Sequence, residues 1–202
     1  MPVGVPKVEY PMEDEESADW MDLYNCLYRE RFLYLFQDLK EELGNQLMGI
    51  MLYLNTEECM DDLYLYVNSP GGDLNPGIGI YDVMGFIDAD VNTICLGRAA
   101  SIASFVVMGG TDGKRIASPN CRMMIHQPGG GTQGQSVLVL SETEEMARLL
   151  DQVIDVYCER TGQTRRRIID DMARDEYMTA QESRDYGLVD QVGSDLHPSV
   201  YN

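Results

Sequence analysis

Short β-branched or aromatic runs alternate along this chain with longer stretches in which apolar residues recur every three or four positions. The first pattern marks strands and the second amphipathic helices. From residue 20 the spacing of Leu23, Leu27 and Tyr28 predicts a helix, with Asp22 and Asn25 suited to its start. A strand is expected over 31–36 and a helix over 41–55, whose Leu43, Leu47, Ile50, Met51 and Leu54 share one face. The run 63–68 reads as a strand ending in Ser69-Pro70-Gly71-Gly72, a strong turn signal. A helix over 76–87 and a buried strand over 91–96 follow, and Gly97 interrupts that strand. Next comes a helix of small residues closed at Gly109-Gly110, with Ser101 in or near its first turn.

Two short strands, 114–117 and 122–125, flank Pro119-Asn120, and the glycine-rich stretch 129–134 leads into a long helix over 137–160. A helix over 165–172 and a last strand over 186–189 complete the pattern, and Gly193 opens a polar tail, 193–202. Residues 1–19 carry Pro2, Pro6, Pro11 and an acidic run, and read as an extended arm. Strand and helix in this alternation predict an α/β domain over 20–192, with sites at the carboxyl ends of strands. Ser101 stands at such an end, where unpaired N–H groups and a helix dipole suit an oxyanion. The helix over 137–160 exceeds what a sheet of this size needs, and predicts a projecting element packed against another copy.

Composition narrows the chemistry. A length of 202 residues suffices for one cored domain. The net charge is −19, from 34 acids against 15 Lys and Arg, and only Arg165-Arg166-Arg167 clusters cations, so no nucleic-acid partner is expected. Five scattered cysteines without a Cys-x-x-Cys pair, and only two histidines, argue for a reducing compartment and no metal site. The first residues lack the apolar core of a signal peptide, and no run is long enough for a membrane span, so a soluble protein with no membrane partner is expected.

A serine nucleophile needs a general base, and the base needs a group that fixes its tautomer. His197 lies in the polar tail beside Pro198, whereas His126 ends a strand and precedes Gln127-Pro128. Asp175 follows a helix and could reach inward; Asp170, Asp171, Glu176 and Asp190 stay open on physical grounds. No Gly-x-Ser-x-Gly elbow is present, which disfavours the α/β-hydrolase arrangement. Gly109 to Arg115 lacks the spacing and hydroxyl of a P-loop, and Asp88 to Ala99 lacks the Gly and closing Glu of a calcium loop. Neither nucleotide nor calcium is expected by these routes.

Tyr64-Leu65-Tyr66-Val67-Asn68-Ser69-Pro70-Gly71-Gly72, Ile80-Tyr81-Asp82, the run from Thr93 to Ser101, Gly113-Lys114-Arg115, Met124-Ile125-His126-Gln127-Pro128 and Tyr186-Gly187-Leu188-Val189-Asp190 stand in this order. Together they resemble the ClpP family, the proteolytic subunits of ATP-dependent Clp proteases. The opening Met1-Pro2-Val3-Gly4-Val5-Pro6-Lys7-Val8 is similar to the plastid and cyanobacterial versions. The resemblance implies a serine endopeptidase with Ser101 as nucleophile, His126 as base and Asp175 as orienter. Asp175 is selected by the family motif that Arg174-Asp175-Glu176-Tyr177-Met178-Thr179-Ala180 matches. The backbone N–H groups of Gly72 and Ile102 would form the oxyanion hole.

The implied fold is α/β, the crotonase-like ββα superhelix, with a handle over 127–160. The implied assembly is seven-membered rings stacked in pairs, of this chain alone or with other ClpP- or ClpR-type subunits. Unfolded polypeptides would be the substrates. An AAA+ unfoldase would dock on Tyr64, Tyr66 and Phe86 and spend the ATP, so no cofactor is expected in this chain. The chloroplast stroma, or a cyanobacterial cytoplasm, would be the location. Departures from the family pattern fall at Phe36, Asp73, Asn75, Arg98, Ile102 and Ala103, and bear on the oxyanion hole and the peptide path. A non-catalytic subunit of a mixed ring and an acyl-CoA enzyme of the crotonase group are the competing expectations. The complete Ser, His and Asp set opposes both.

Overall fold

In the computed structural model, which describes residues 4–10, 19–57, 61–127, 129 and 136–193, the alternating pattern becomes a mostly parallel sheet with helices packed on it. The elements in order are β1 (Lys7–Tyr10), β2 (Asp19–Asp22), α1 (Leu23–Arg29), β3 (Phe32–Leu35), α2 (Glu41–Asn55), β4 (Leu63–Ser69), α3 (Leu74–Phe86), β5 (Val91–Ala100) and α4 (Ile102–Met108). They continue with β6 (Arg115–Ala117), β7 (Arg122–Ile125), α5 (Ser136–Thr161), α6 (Arg165–Met172), β8 (Glu176–Thr179), α7 (Ala180–Tyr186) and β9 (Gln191–Val192). The parallel order β3-β4-β5-β6-β9 forms the main sheet; β7 joins the far half of β5 and pairs antiparallel with β8. The period-two pattern of β4 works as expected. Leu63, Leu65, Val67 and Ser69 are buried on one face while Tyr64 and Tyr66 stay half-buried on the other.

Four expectations change. Trp20 lies in β2 and not in a helix, because β1 supplies a strand partner from the arm in register Glu9↔Trp20. The helix starts only after Asp22, whose carboxylate caps it by accepting from the Asn25 N–H at 3.0 Å. Gly97 does not end its strand: at φ +76° it bends β5, which leaves β6 after Cys95 and takes up β7 from Arg98 to Ala100. Residues 186–189 are not a strand. Tyr186 ends α7, and the last strand is Gln191–Val192. The apolar pattern signals neither β8 nor α7, although Thr179 and Glu182 form a reciprocal capping box at the start of α7. The long helix also does more than project. Its Val153, Ile154 and Tyr157 are buried in this chain's own core, while Leu140 is exposed. Of the glycine-rich stretch 129–134 only Gly129 is described; residues 130–134, Cys59 and His197 lie outside the described residues.

At the centre of the packing is α4, every residue of which is buried. Its Phe105 meets Tyr81 of α3 and Tyr157 of α5 at ring-centroid distances of 5.0 and 5.6 Å. The Arg160 guanidinium of α5 donates to the Met108 and Gly110 carbonyls, satisfying the end of α4. A second latch closes the far edge of the sheet. Buried Arg115 on β6 grips Asp190 through Nε at 2.9 Å and a terminal nitrogen at 2.5 Å, and the Arg115 and Gly113 amides donate to the same carboxylate.

Candidate active site

Ser101 occupies the single residue between β5 and α4, at φ 57° and ψ −132°, a backbone region that side chains rarely adopt. The bend throws its hydroxyl clear of both elements. Its N–H donates to the Met124 carbonyl of β7 at 2.9 Å, so the conformation is held by the same β5–β7 pairing that brings the next strand alongside. Gly71 comes so close that a Cβ there would stand 2.6 Å from the Ser101 Cβ, so the Gly-Gly turn is a requirement of contact as well as of conformation.

His126 follows the last residue of β7, and Gln127 is pinned by its N–H to the Met172 carbonyl at the end of α6 at 2.8 Å. The antiparallel register of β7 with β8 pairs Ile125 with Glu176, so the next pair outward is His126 opposite Asp175. Their side chains meet: His126 Nδ1 lies 3.0 Å from Asp175 Oδ1, and His126 Nε2 lies 2.9 Å from Ser101 Oγ. A carboxylate can only accept, so Nδ1 holds the proton and the Nε2 lone pair faces the serine hydroxyl. The arrangement can take a proton from Ser101 and return it elsewhere.

The other acids left open by the sequence are engaged away from this relay. Asp190 is held by Arg115, Asp171 accepts from the Tyr186 hydroxyl at 2.8 Å, and Asp170 and Glu176 sit 3.9 Å from Arg166 and Arg174 respectively. Burial favours protonating Asp190, but the Arg115 and Gly113 hydrogen bonds outweigh it and hold the carboxyl below the usual carboxylate range.

Ser101 and His126 open onto a cleft of about 700 Å³ lined by Gly72 and Ile102 and walled by Met48, Phe105, Met146, Val153 and Met172. Gly72 reaches the cleft because it forms a bridge to Leu39, whose N–H donates to Gly71 O at 2.8 Å and whose carbonyl accepts from Asp73 N–H at 2.7 Å. At φ +151° with the Leu39 carbonyl 2.1 Å from where a Cβ would stand, only glycine fits. Ile102 is the first residue of α4, so its N–H has no carbonyl one turn back to bond. Asp73 and Asn75 also line the cleft. Arg98 and Phe36 do not; they line a separate cavity with Gln37, Asp38 and Asn68.

The Clp protease family profile matches residues 14–195. The ATP-dependent Clp protease proteolytic subunit of Oltmannsiellopsis viridis is 60% identical over 194 residues, covering 96% of this chain and 100% of that one. The protein of the same description from Chlorella vulgaris is 57% identical over 195 residues, covering 96% and 97%. That from Adiantum capillus-veneris is 50% identical over 193 residues, covering 95% and 96%. The chain belongs to the Clp protease family. Its function is that of a protease, and the α/β architecture described above is consistent with the Clp protease fold.

In this Clp protease chain the aromatic surface is split. Tyr64 and Tyr66 lie in a row with Phe32 and Tyr34 across β3 and β4, with ring centroids 5.5 to 6.0 Å apart. Phe86 stands at the end of α3, 75% exposed, with no ring contact to that row among the described residues. Among the described residues no cluster of metal-ligating side chains occurs, and no helix is long and apolar enough to cross a membrane. Two residues that the sequence reading does not single out, Ser104 and Tyr157, are joined to the Ser101 carbonyl by hydrogen bonds, Tyr157 through Ser104. Their signal was a hydroxyl in an all-apolar helix and a tyrosine in an apolar stripe.

Proposed function

We propose that this chain is a serine endopeptidase subunit that cleaves unfolded polypeptides through an acyl-enzyme. The observation that carries the reading is the unbroken Ser101–His126–Asp175 hydrogen-bonded relay at the mouth of a cleft in a Clp protease. Ser101 Oγ attacks the scissile carbonyl carbon while its proton passes to His126 Nε2. Asp175 stabilises the imidazolium through Nδ1–H. The tetrahedral oxyanion accepts from the Gly72 and Ile102 N–H groups. Collapse breaks the C–N bond, His126 returns the proton to the leaving amine, and water, deprotonated by His126, then hydrolyses the ester to free Ser101.

The relatives' description as proteolytic subunits of an ATP-dependent protease supports a division of labour. An AAA+ Clp unfoldase supplies ATP hydrolysis and threads substrate, docking on the apolar surface that includes Tyr64, Tyr66 and Phe86. Exposed Trp20, Phe36 and Leu140 leave further apolar surface for neighbouring subunits, in keeping with stacked seven-membered rings, homomeric or mixed. Relatives from algae and a fern support the chloroplast stroma.

A fluorophosphonate probe tests the chemistry. The expected result is covalent labelling confined to Ser101, mapped by peptide mass, and slowed at least about a hundredfold by His126→Ala, as removal of a general base predicts. Absence of label on Ser101 in a complex that hydrolyses peptides overturns the reading. Gly72→Ala provides a second test. The clash with the Leu39 carbonyl displaces a donor, and kcat is expected to fall about 100-fold or more, measured on a chromogenic peptide alongside the melting temperature.

A further inference from the structure

The carbonyl of Ser101 is held with as much care as its hydroxyl. The Ser101 carbonyl accepts twice, from the Ser104 N–H at 3.0 Å and from Ser104 Oγ at 2.7 Å. Ser104 Oγ in turn lies 3.1 Å from the Tyr157 hydroxyl, and both residues are buried, Ser104 wholly and Tyr157 to 2% exposure. A serine hydroxyl has one proton, and a carbonyl can only accept it. The Ser104 proton is therefore spent on Ser101, and the Tyr157 O–H must donate to Ser104. The chain of bonds runs in one direction, from Tyr157 through Ser104 to the Ser101 carbonyl.

That carbonyl belongs to the peptide unit whose other end is the Ile102 N–H. The unit is planar and trans, so the oxygen and the N–H point in opposite directions and turning one turns the other. Ser101 holds a sparsely populated backbone conformation, so its following peptide needs outside support to stay in place. Two bonds on the carbonyl supply that support, and a hydrogen-bonded carbonyl also polarises its amide, making the N–H a better donor. A serine bonding back three residues is common in helices. A buried phenol brought from a different helix, and satisfied nowhere else among the described contacts, is not part of that habit.

We propose that Ser104 and Tyr157 are positioning residues that aim the Ile102 N–H at the developing oxyanion, with Tyr157 tying the long helix α5 to the oxyanion hole. The inference rests on the serine mechanism proposed above. It makes the seating of α5 a determinant of turnover. Tyr157 itself lines the cleft and lies on the same helix as Val153 and Met146, which wall it.

The test uses the protease complex as isolated, with a short chromogenic peptide, a peptide boronate and a product peptide. Ser104→Ala is expected to lower kcat about 10- to 100-fold, less than outright removal of an oxyanion donor, with KM changed by less than about twofold. Tyr157→Phe, which deletes only the hydroxyl, lowers kcat less. The double variant is no worse than Ser104→Ala, because the phenol acts only through Ser104. Boronate affinity falls in step with kcat, while product-peptide affinity does not change. Three results would each overturn the proposal: wild-type kcat in Ser104→Ala, losses that multiply in the double variant, or a fall confined to KM. If Ser104→Ala fails to assemble, the kcat and boronate affinity of Tyr157→Phe decide alone. Ser101→Ala in the same assay separates the two readings. Retained turnover there removes the serine mechanism, whereas its loss beside a normal Ser104→Ala removes only the positioning role.

Discussion

Ser101→Ala lowers peptide turnover by about four to six orders of magnitude, because the loss removes the atom that forms the acyl bond and leaves only binding and oxyanion stabilisation. The fold should survive the change. Ser101 Oγ is hydrogen-bonded to His126 and opens onto the cleft, and alanine suffers the same unfavourable φ of 57° as serine, so stability should move by no more than about 0.5 kcal/mol. The measurement is kcat for a peptide in a ring made only of the variant, with the melting temperature recorded in parallel. Near-normal turnover would show that another group forms the covalent bond, and a large fall in melting temperature would show that the hydroxyl is structural.

The second large effect lies outside the cleft. Asp190→Ala leaves the Arg115 guanidinium buried without its carboxylate, and the expected cost is about 3 kcal/mol or more, since breaking a buried pair strands a charge. The same pair sets an acid dependence. The Asp190 carboxyl is held below its ordinary value in the folded state, so its contribution is complete above the unfolded value of about 4 and is lost as pH falls through the lower folded value. Asp62, against which burial works but which Lys114 and Asn92 hold low, acts with the same sign. The gap in melting temperature between wild type and Asp190→Ala should therefore be widest near pH 7 and narrow below about pH 4. A gap that is constant down to pH 3 would assign the loss to packing and not to charge.

Much of the fold was legible because its elements are locally consistent. The apolar stripe of 41–55 and the alternation of 63–68 each name their own buried face, and the structure keeps both. The places where the structure departs from the local pattern share one cause. Trp20 joins a strand because of a partner from the arm, residues 98–100 stay in β5 because β7 is waiting beside them, and β8 exists as a strand because it pairs with β7. Periodicity records which face is buried and does not record which segment lies alongside. The long helix shows the same limit, since its apolar face could equally have been meant for a second copy or for this chain's core.

For the site, the sequence by itself determined the chemical inventory: a serine after a strand, a histidine at a strand end, a Gly-Gly turn and a set of acids. The ordered motifs added a family and, through it, named Asp175 among those acids. What only the tertiary structure decided is the company these groups keep. The β7–β8 register sets Asp175 opposite His126 although 49 residues separate them, while Arg115 and Tyr186 draw Asp190 and Asp171 elsewhere. The structure also turned two unremarked side chains, Ser104 and Tyr157, into the support behind the serine. The reason is physical. A residue's local pattern fixes its element and its face, but a hydrogen bond across the fold depends on angles and distances accurate to fractions of an ångström, and those are set jointly by every strand pairing and helix contact between the two partners.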